Sequence, residues 1–166
     1  FSDGYFDIAV VDPPYGIGAN KMQLGNGKKK IYRGEADWDN AIPTAEYWEQ
    51  LFRVSKNQIV WGANYFTKQL PIIKNYIFWH KKGQSVDDKF NDGEMAFASL
   101  GRTRMIDIWW NGVGVINSGE NKIHPTQKPV ELLKTLISIF TDEGDVVIDP
   151  CAGSGSTLIA AEIINR

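Results

Sequence analysis

Apolar residues along this chain alternate between two periods, and the alternation predicts the elements. Tyr5 to Val11 is a short, β-branched run stopped by Asp-Pro-Pro, which reads as a buried strand. From Thr44 to Val54 the period changes. Trp48, Leu51, Phe52 and Ser55 fall at helical spacing, flanked by Tyr47 and Val54. Gln58 to Trp61 and Tyr76 to Trp79 are further short strands, and Tyr65 to Leu70 offers one or two helical turns before Pro71. Glu94 to Ser99 and Thr103 to Trp110 are expected to pair as a hairpin through Gly101. Trp109-Trp110 is expected in the sheet core, with stacking on a planar ring as the alternative. Pro129 to Phe140 is the clearest helix, with Leu132, Leu133, Leu136, Ile137 and Phe140 in one stripe. Gly144 to Asp149 reads as a strand because Val146-Val147-Ile148 is strongly β-prone. Ser156 to Ile164 is a helix opening on a glycine turn.

Strands alternating with helices predict an open α/β sheet, mostly parallel, with one antiparallel hairpin. Such sheets bind ligands beyond the carboxyl ends of their strands. Two clusters sit there: Asp12-Pro13-Pro14-Tyr15 and Asp149-Pro150-Cys151-Ala152-Gly153-Ser154-Gly155. The stretch from Gly16 to Pro43 has little apolar periodicity and several glycines, so it reads as a long functional loop. Asn111 to Asn121 is loop as well.

Composition narrows the class without naming a chemistry. The chain has 166 residues, 43% hydrophobic and 23% charged, ordinary for one globular domain. A net charge of −2 means that any nucleic-acid contact must come from a local patch. The single cysteine excludes an internal disulfide and a cysteine-rich zinc site, and it fits a reducing compartment. No apolar stretch approaches a membrane span, and no secretory signal is visible. The chain starts at Phe1 and stops at Arg166 inside a helical pattern, so it reads as one domain cut at both ends.

The glycine turn suits an anionic ligand group. Gly153 and Gly155 allow close backbone approach, and the following helix offers free N–H groups and a positive dipole end. The pattern is neither a dinucleotide fingerprint nor a phosphate loop, which favours an amino-acid carboxylate. A plain strand-to-helix turn is the competing reading. Cys151 lacks a Cys or His neighbour in sequence, so packing is its expected role.

The Asp-Pro-Pro-Tyr cluster suits an amino group. A carboxylate only accepts hydrogen bonds, and the prolines bring carbonyls without N–H donors. An amine can donate one hydrogen to Asp12 and the other to the Pro13 carbonyl, which leaves its lone pair pointing at an electrophile. Tyr15 can stack on the ring that carries the amine, a contact worth about 1–3 kcal/mol for a base. A Pro-Pro turn with a capping Asp is the competing reading.

With these residues in view, the chain resembles the amino-methyltransferases that modify DNA at adenine N6 or cytosine N4. Asp12 to Tyr15 resembles their catalytic motif, and Asp149 to Gly155 their S-adenosylmethionine loop. His124-Pro125-Thr126-Gln127-Lys128-Pro129 resembles the segment before that loop's strand. Ile59 to Phe66 and Ile77 to Lys81 are similar to further blocks. The order, catalytic motif first and cofactor loop last, is that of the permuted β group.

The resemblance implies a Rossmann-like S-adenosylmethionine-dependent fold in permuted order. Asp12 and the Pro13 carbonyl would bind the target amine, with Asp12 also on the cofactor side. Tyr15 would stack on a base flipped out of double-stranded DNA. Thr126 and Lys128 would lie near the methionine end of the cofactor, and Asp149 would anchor its loop. Lys28, Lys29, Lys30 and Arg33 are the first candidates for phosphate contact, with Lys81-Lys82 next. No metal and no membrane are expected, the setting is bacterial or phage cytoplasm, and a homodimer is one option for the assembly.

Asp rather than Ser at position 12 favours adenine N6 over cytosine N4. An RNA methyltransferase and a non-catalytic nucleic-acid-binding subunit are the alternatives. The resemblance also leaves gaps. The strand that would bring an acid to the cofactor ribose is expected beyond the cut end at Arg166, and Asn111 to Lys122 is too short for the usual target-recognition region, so Gly16 to Pro43 would share that work.

Overall fold

The computed structural model describes residues 1–19, 37–81, 91–110, 124 and 126–166. Strand β1 (Phe6–Val11) runs into the Asp-Pro-Pro turn. Helix α1 (Ala45–Val54) leads directly into β2 (Ser55–Trp61), followed by a 3-10 turn at Ala63–Tyr65. Then come β3 (Asn75–His80), β4 (Gly93–Ala98) and β5 (Arg104–Asp107). Helix α2 (Val130–Phe140), β6 (Val147–Ile148) and α3 (Ser156–Ile163) complete the order.

These strands form one 6-stranded sheet in the order β5-β3-β4-β2-β1-β6. β1 pairs in parallel with β2 and β6, and β3 with β5. β4 runs against its neighbours β2 and β3. The carboxyl ends of the other strands therefore share one edge, and β4 alone begins there.

Alternation along β1 explains the layers. Ile8 and Val10 pack with Ile59, Trp61, Ile77, Trp79 and the buried stripe Leu132, Leu133, Leu136 and Ile137 of α2. Ala9 and Val11 face the other way, against Trp48 and Leu51 of α1 and against Phe66. Both faces of the sheet are covered by helices, as a parallel α/β sheet requires.

Two expectations change. The hairpin between β4 and β5 does not form. Both edges of β4 are taken, by β2 through Ile59↔Ala98 and by β3 through Ile77↔Ala96. β5 therefore lies on the outer edge of β3, with Phe78 opposite Met105. The antiparallel pair of consecutive strands is β3–β4. The strand expected over Gly144 to Asp149 shrinks to Val147–Ile148. The Val146 N–H is taken by the Asp7 carboxylate at 2.8 Å, outside the ladder.

Trp109-Trp110 divides. Trp110 is buried in the core, whereas Trp109 is half exposed. No helix among the described residues is long and apolar enough to cross a membrane.

Candidate active site

Parallel pairing of β1 with β6 brings the two sequence clusters together at the shared edge. Between them lies a cavity of about 380 Å³. Asp12 and Pro14 line one side, and Asp149 to Ser154 line another. Trp38, Trp61 and Leu133 supply apolar wall, and Thr126 and Lys128 reach it from the segment before α2. A space of this size, walled partly by apolar side chains and partly by polar and charged ones, is that of a small-molecule site.

On the glycine side, the Asp149 carboxylate accepts the Cys151 N–H at 2.9 Å and is also hydrogen-bonded by Thr157. Burial raises its pKa against these bonds. Gly155 is the N-cap of α3 at φ 77°, and no side chain caps that helix. A Cβ at Gly155 would meet nothing within 4 Å, so its requirement is conformational and the space beside the turn is open. The first N–H groups of α3 and its positive dipole end can therefore hold a carboxylate. Cys151 is half-buried, its sulfur 3.4 Å from the Tyr47 hydroxyl. Burial pushes its thiol up, so the packing role fits and activation does not.

On the proline side, Asp12 uses both carboxylate oxygens. The Tyr15 hydroxyl donates to Oδ1 at 2.6 Å, and the Lys128 ammonium donates to Oδ2 at 2.6 Å. Tyr15 stacks on Tyr65 with ring centroids 4.6 Å apart. Burial, then the negative charges of Asp12 and Glu94, raise the Tyr15 phenol well above its ordinary pKa. Gly62, at φ 71°, makes room for this ring: a Cβ there would lie 2.3 Å from Cε1 of Tyr15. Asp39, fully buried, fixes the start of the following loop by accepting the N–H groups of Gly16 and Ala19 at 2.8 and 2.7 Å.

Lys128 is 7% exposed and also lies 3.1 Å from Glu94. Glu94 is the second residue of β4, and Lys81, just beyond the end of β3, contacts its other carboxylate oxygen. Burial opposes ionisation of Glu94, but Lys128 and Lys81 hold its carboxyl down at about 2. Burial likewise pulls Lys128 down, and Asp12 and Glu94 outweigh it, so its pKa is raised.

Most of the residues singled out from sequence meet here: Asp12, Pro14, Thr126, Lys128 and Asp149 through Ser154 line the cavity. Pro13 is buried behind it, and Tyr15 faces Asp12 from beside it. Lys81 has its ammonium against Glu94. Lys28, Lys29, Lys30, Arg33 and Lys82 lie outside the described residues. Sequence reasoning missed Glu94, whose one signal is an acid opening an otherwise apolar strand. It also missed Thr157 and Trp38, which carry no spacing signal. Among the described residues no His, Cys, Asp and Glu group could hold a metal.

Comparison with known proteins agrees with this geometry. The N6/N4 family model described as a DNA methylase matches residues 55–166. The type II methyltransferase M2.MboI of Moraxella bovis is 33% identical over 207 residues, covering 100% of this chain and 75% of that protein. Among solved structures, the M1.HpyAVI–SAM complex superposes with TM-score 0.53 at 22% identity, over 98% of this chain and 80% of that one. The PvuII DNA methyltransferase, cytosine-N4-specific, superposes with TM-score 0.59 at 14% identity, over 100% and 74%. These two likenesses concern the fold. With its Asp-Pro-Pro-Tyr strand ahead of its glycine-turn strand, the chain belongs to the β group of the N6/N4 DNA methylase family.

Proposed function

We propose that this protein moves a methyl group from S-adenosylmethionine to adenine N6 in double-stranded DNA. The observation that carries the reading is the meeting of Asp12 and the Asp149–Ser154 turn across one cavity. The residues fit the cofactor. The uncapped start of α3 suits its carboxylate, Trp38, Trp61 and Leu133 offer apolar surface to a nucleoside, and Thr126 and Lys128 add polar lining. When bound, S-adenosylmethionine supplies an electrophilic methyl on a sulfonium.

The protein's part is position and charge. Asp12 and the Pro13 carbonyl accept the two amine hydrogens and direct the nitrogen lone pair into the cavity. An amine gains acidity as it is methylated, so Asp12 need only accept its proton. Tyr15, with one ring face taken by Tyr65, is proposed to stack on a flipped base with what remains of its ring, and extrusion from the duplex costs a few kcal/mol. Lys28, Lys29, Lys30 and Arg33 are proposed as phosphate contacts.

Adenine rests on Asp at position 12, since the fold serves either base. DNA incubated with enzyme and S-adenosylmethionine, then digested for mass spectrometry, should yield N6-methyladenine. N4-methylcytosine as sole product overturns the choice of base. Label entering RNA but not DNA overturns the substrate.

A further inference from the structure

The amine acceptor is covered by the protein's own donors. Tyr15 holds Oδ1 of Asp12 and Lys128 holds Oδ2, each at 2.6 Å. An amino group can reach Asp12 only if one of them yields. Moving a buried ammonium away from its carboxylate costs several kcal/mol when no other anion is near. Lys128 has such an anion: Glu94 Oε2 already lies 3.1 Å from its Nζ. Trp61 adds a ring face 5.0 Å from the same ammonium.

The anion is itself held in place. Lys81 contacts Glu94 from the opposite side and sits 4.9 Å over the Trp79 ring. The four side chains thus form a row of alternating charge, Asp12, Lys128, Glu94 and Lys81. The antiparallel course of β4 is what puts Glu94 in it, because this strand alone starts at the edge where the others end.

We propose that Glu94 is a positioning residue of the amine site: it gives Lys128 a second counter-ion, so that the ammonium releases Oδ2 of Asp12 to the arriving amino group. The step exchanges ion pairs and hydrogen bonds only. It rests on the reading of Asp12 as the amine acceptor.

The test compares the full chain with Glu94→Gln, Glu94→Asp, Lys128→Met and the double variant Glu94→Gln/Lys128→Met. Transfer of labelled methyl to DNA, cofactor affinity by calorimetry and melting temperature are read for each. Glu94→Gln is expected to lower kcat about 10-fold, within the range of coupled neighbours, with cofactor affinity unchanged. Glu94→Asp should recover most of that loss, and in the Lys128→Met background Glu94→Gln should cost nothing further. Equal losses for Gln and Asp overturn the proposal, as does an undiminished loss without Lys128. The Gln and Asp comparison decides alone if Lys128→Met does not fold. Asp12→Ala separates the two claims: transfer surviving it refutes the Asp12 reading, whereas its loss alongside negative Glu94 results refutes only this inference.

Discussion

The Lys128 ammonium lies 2.6 Å from Oδ2 of Asp12, although the two residues are 116 positions apart in sequence. Only the sheet brings them together, and their contact sets what the site can do before any substrate arrives. With Tyr15 on Oδ1 and Lys128 on Oδ2, any further donor to this carboxylate must displace one of them.

Removing that acceptor should stop the chemistry and spare the cofactor. Asp12→Ala is expected to lower transfer by about 10²–10⁴-fold, the span for a positioned proton acceptor. S-Adenosylmethionine affinity, by calorimetry, should persist because the Gly153–Gly155 turn is untouched. Retained transfer would refute the role given to Asp12.

Gly62→Ala should act through Tyr15. The new Cβ would fall 2.3 Å from the ring, at a backbone φ of 71° that side chains disfavour. Strain and overpacking together cost about 2–5 kcal/mol. A lowered melting temperature with impaired transfer is the expected pair of results. An unchanged melting curve would show that Tyr15 is not packed where described.

Acid should weaken the charge row in a defined window. Glu94 is depressed from 4.5 to about 2, so its stabilisation is fully present above pH 4.5 and is lost as pH falls towards 2. Lys128 is raised above 10.5, so its share is present below that pH and lost only above it. Melting temperatures of the wild type and Glu94→Gln, measured from pH 6 down to pH 2, should converge. A constant gap would mean that Glu94 does not titrate in this window.

Cys151 should prove dispensable for chemistry. Its thiol is raised first by burial, so alkylation of the folded protein near pH 8 should be slow and should speed up on unfolding. Cys151→Ala is expected to keep most of the transfer activity. Loss of transfer with intact cofactor binding would return the thiol to the mechanism.

Local patterns carried much of this fold into view. The β-branched Tyr5 to Val11 run, the Leu132 to Ile137 stripe and the Asp-Pro-Pro stop each reflect interactions within a few residues. Failures came where pairing was non-local. Gly101 suggested a turn between β4 and β5, but strand partners depend on which edges are free, and β4 had none. The same insertion hid Glu94, since nothing in its neighbourhood in sequence says that β4 runs opposite to the rest.

The sequence by itself determined the two chemical clusters, their order and the elements that end on them, because turns, helix starts and apolar periods are local. Tertiary structure alone decided that Asp12 is shared between Tyr15 and Lys128, that Lys81 serves Glu94, and that both clusters face one cavity. Those facts depend on strand order and direction, where burial and charge pairing among distant residues select one arrangement from several that local preference allows.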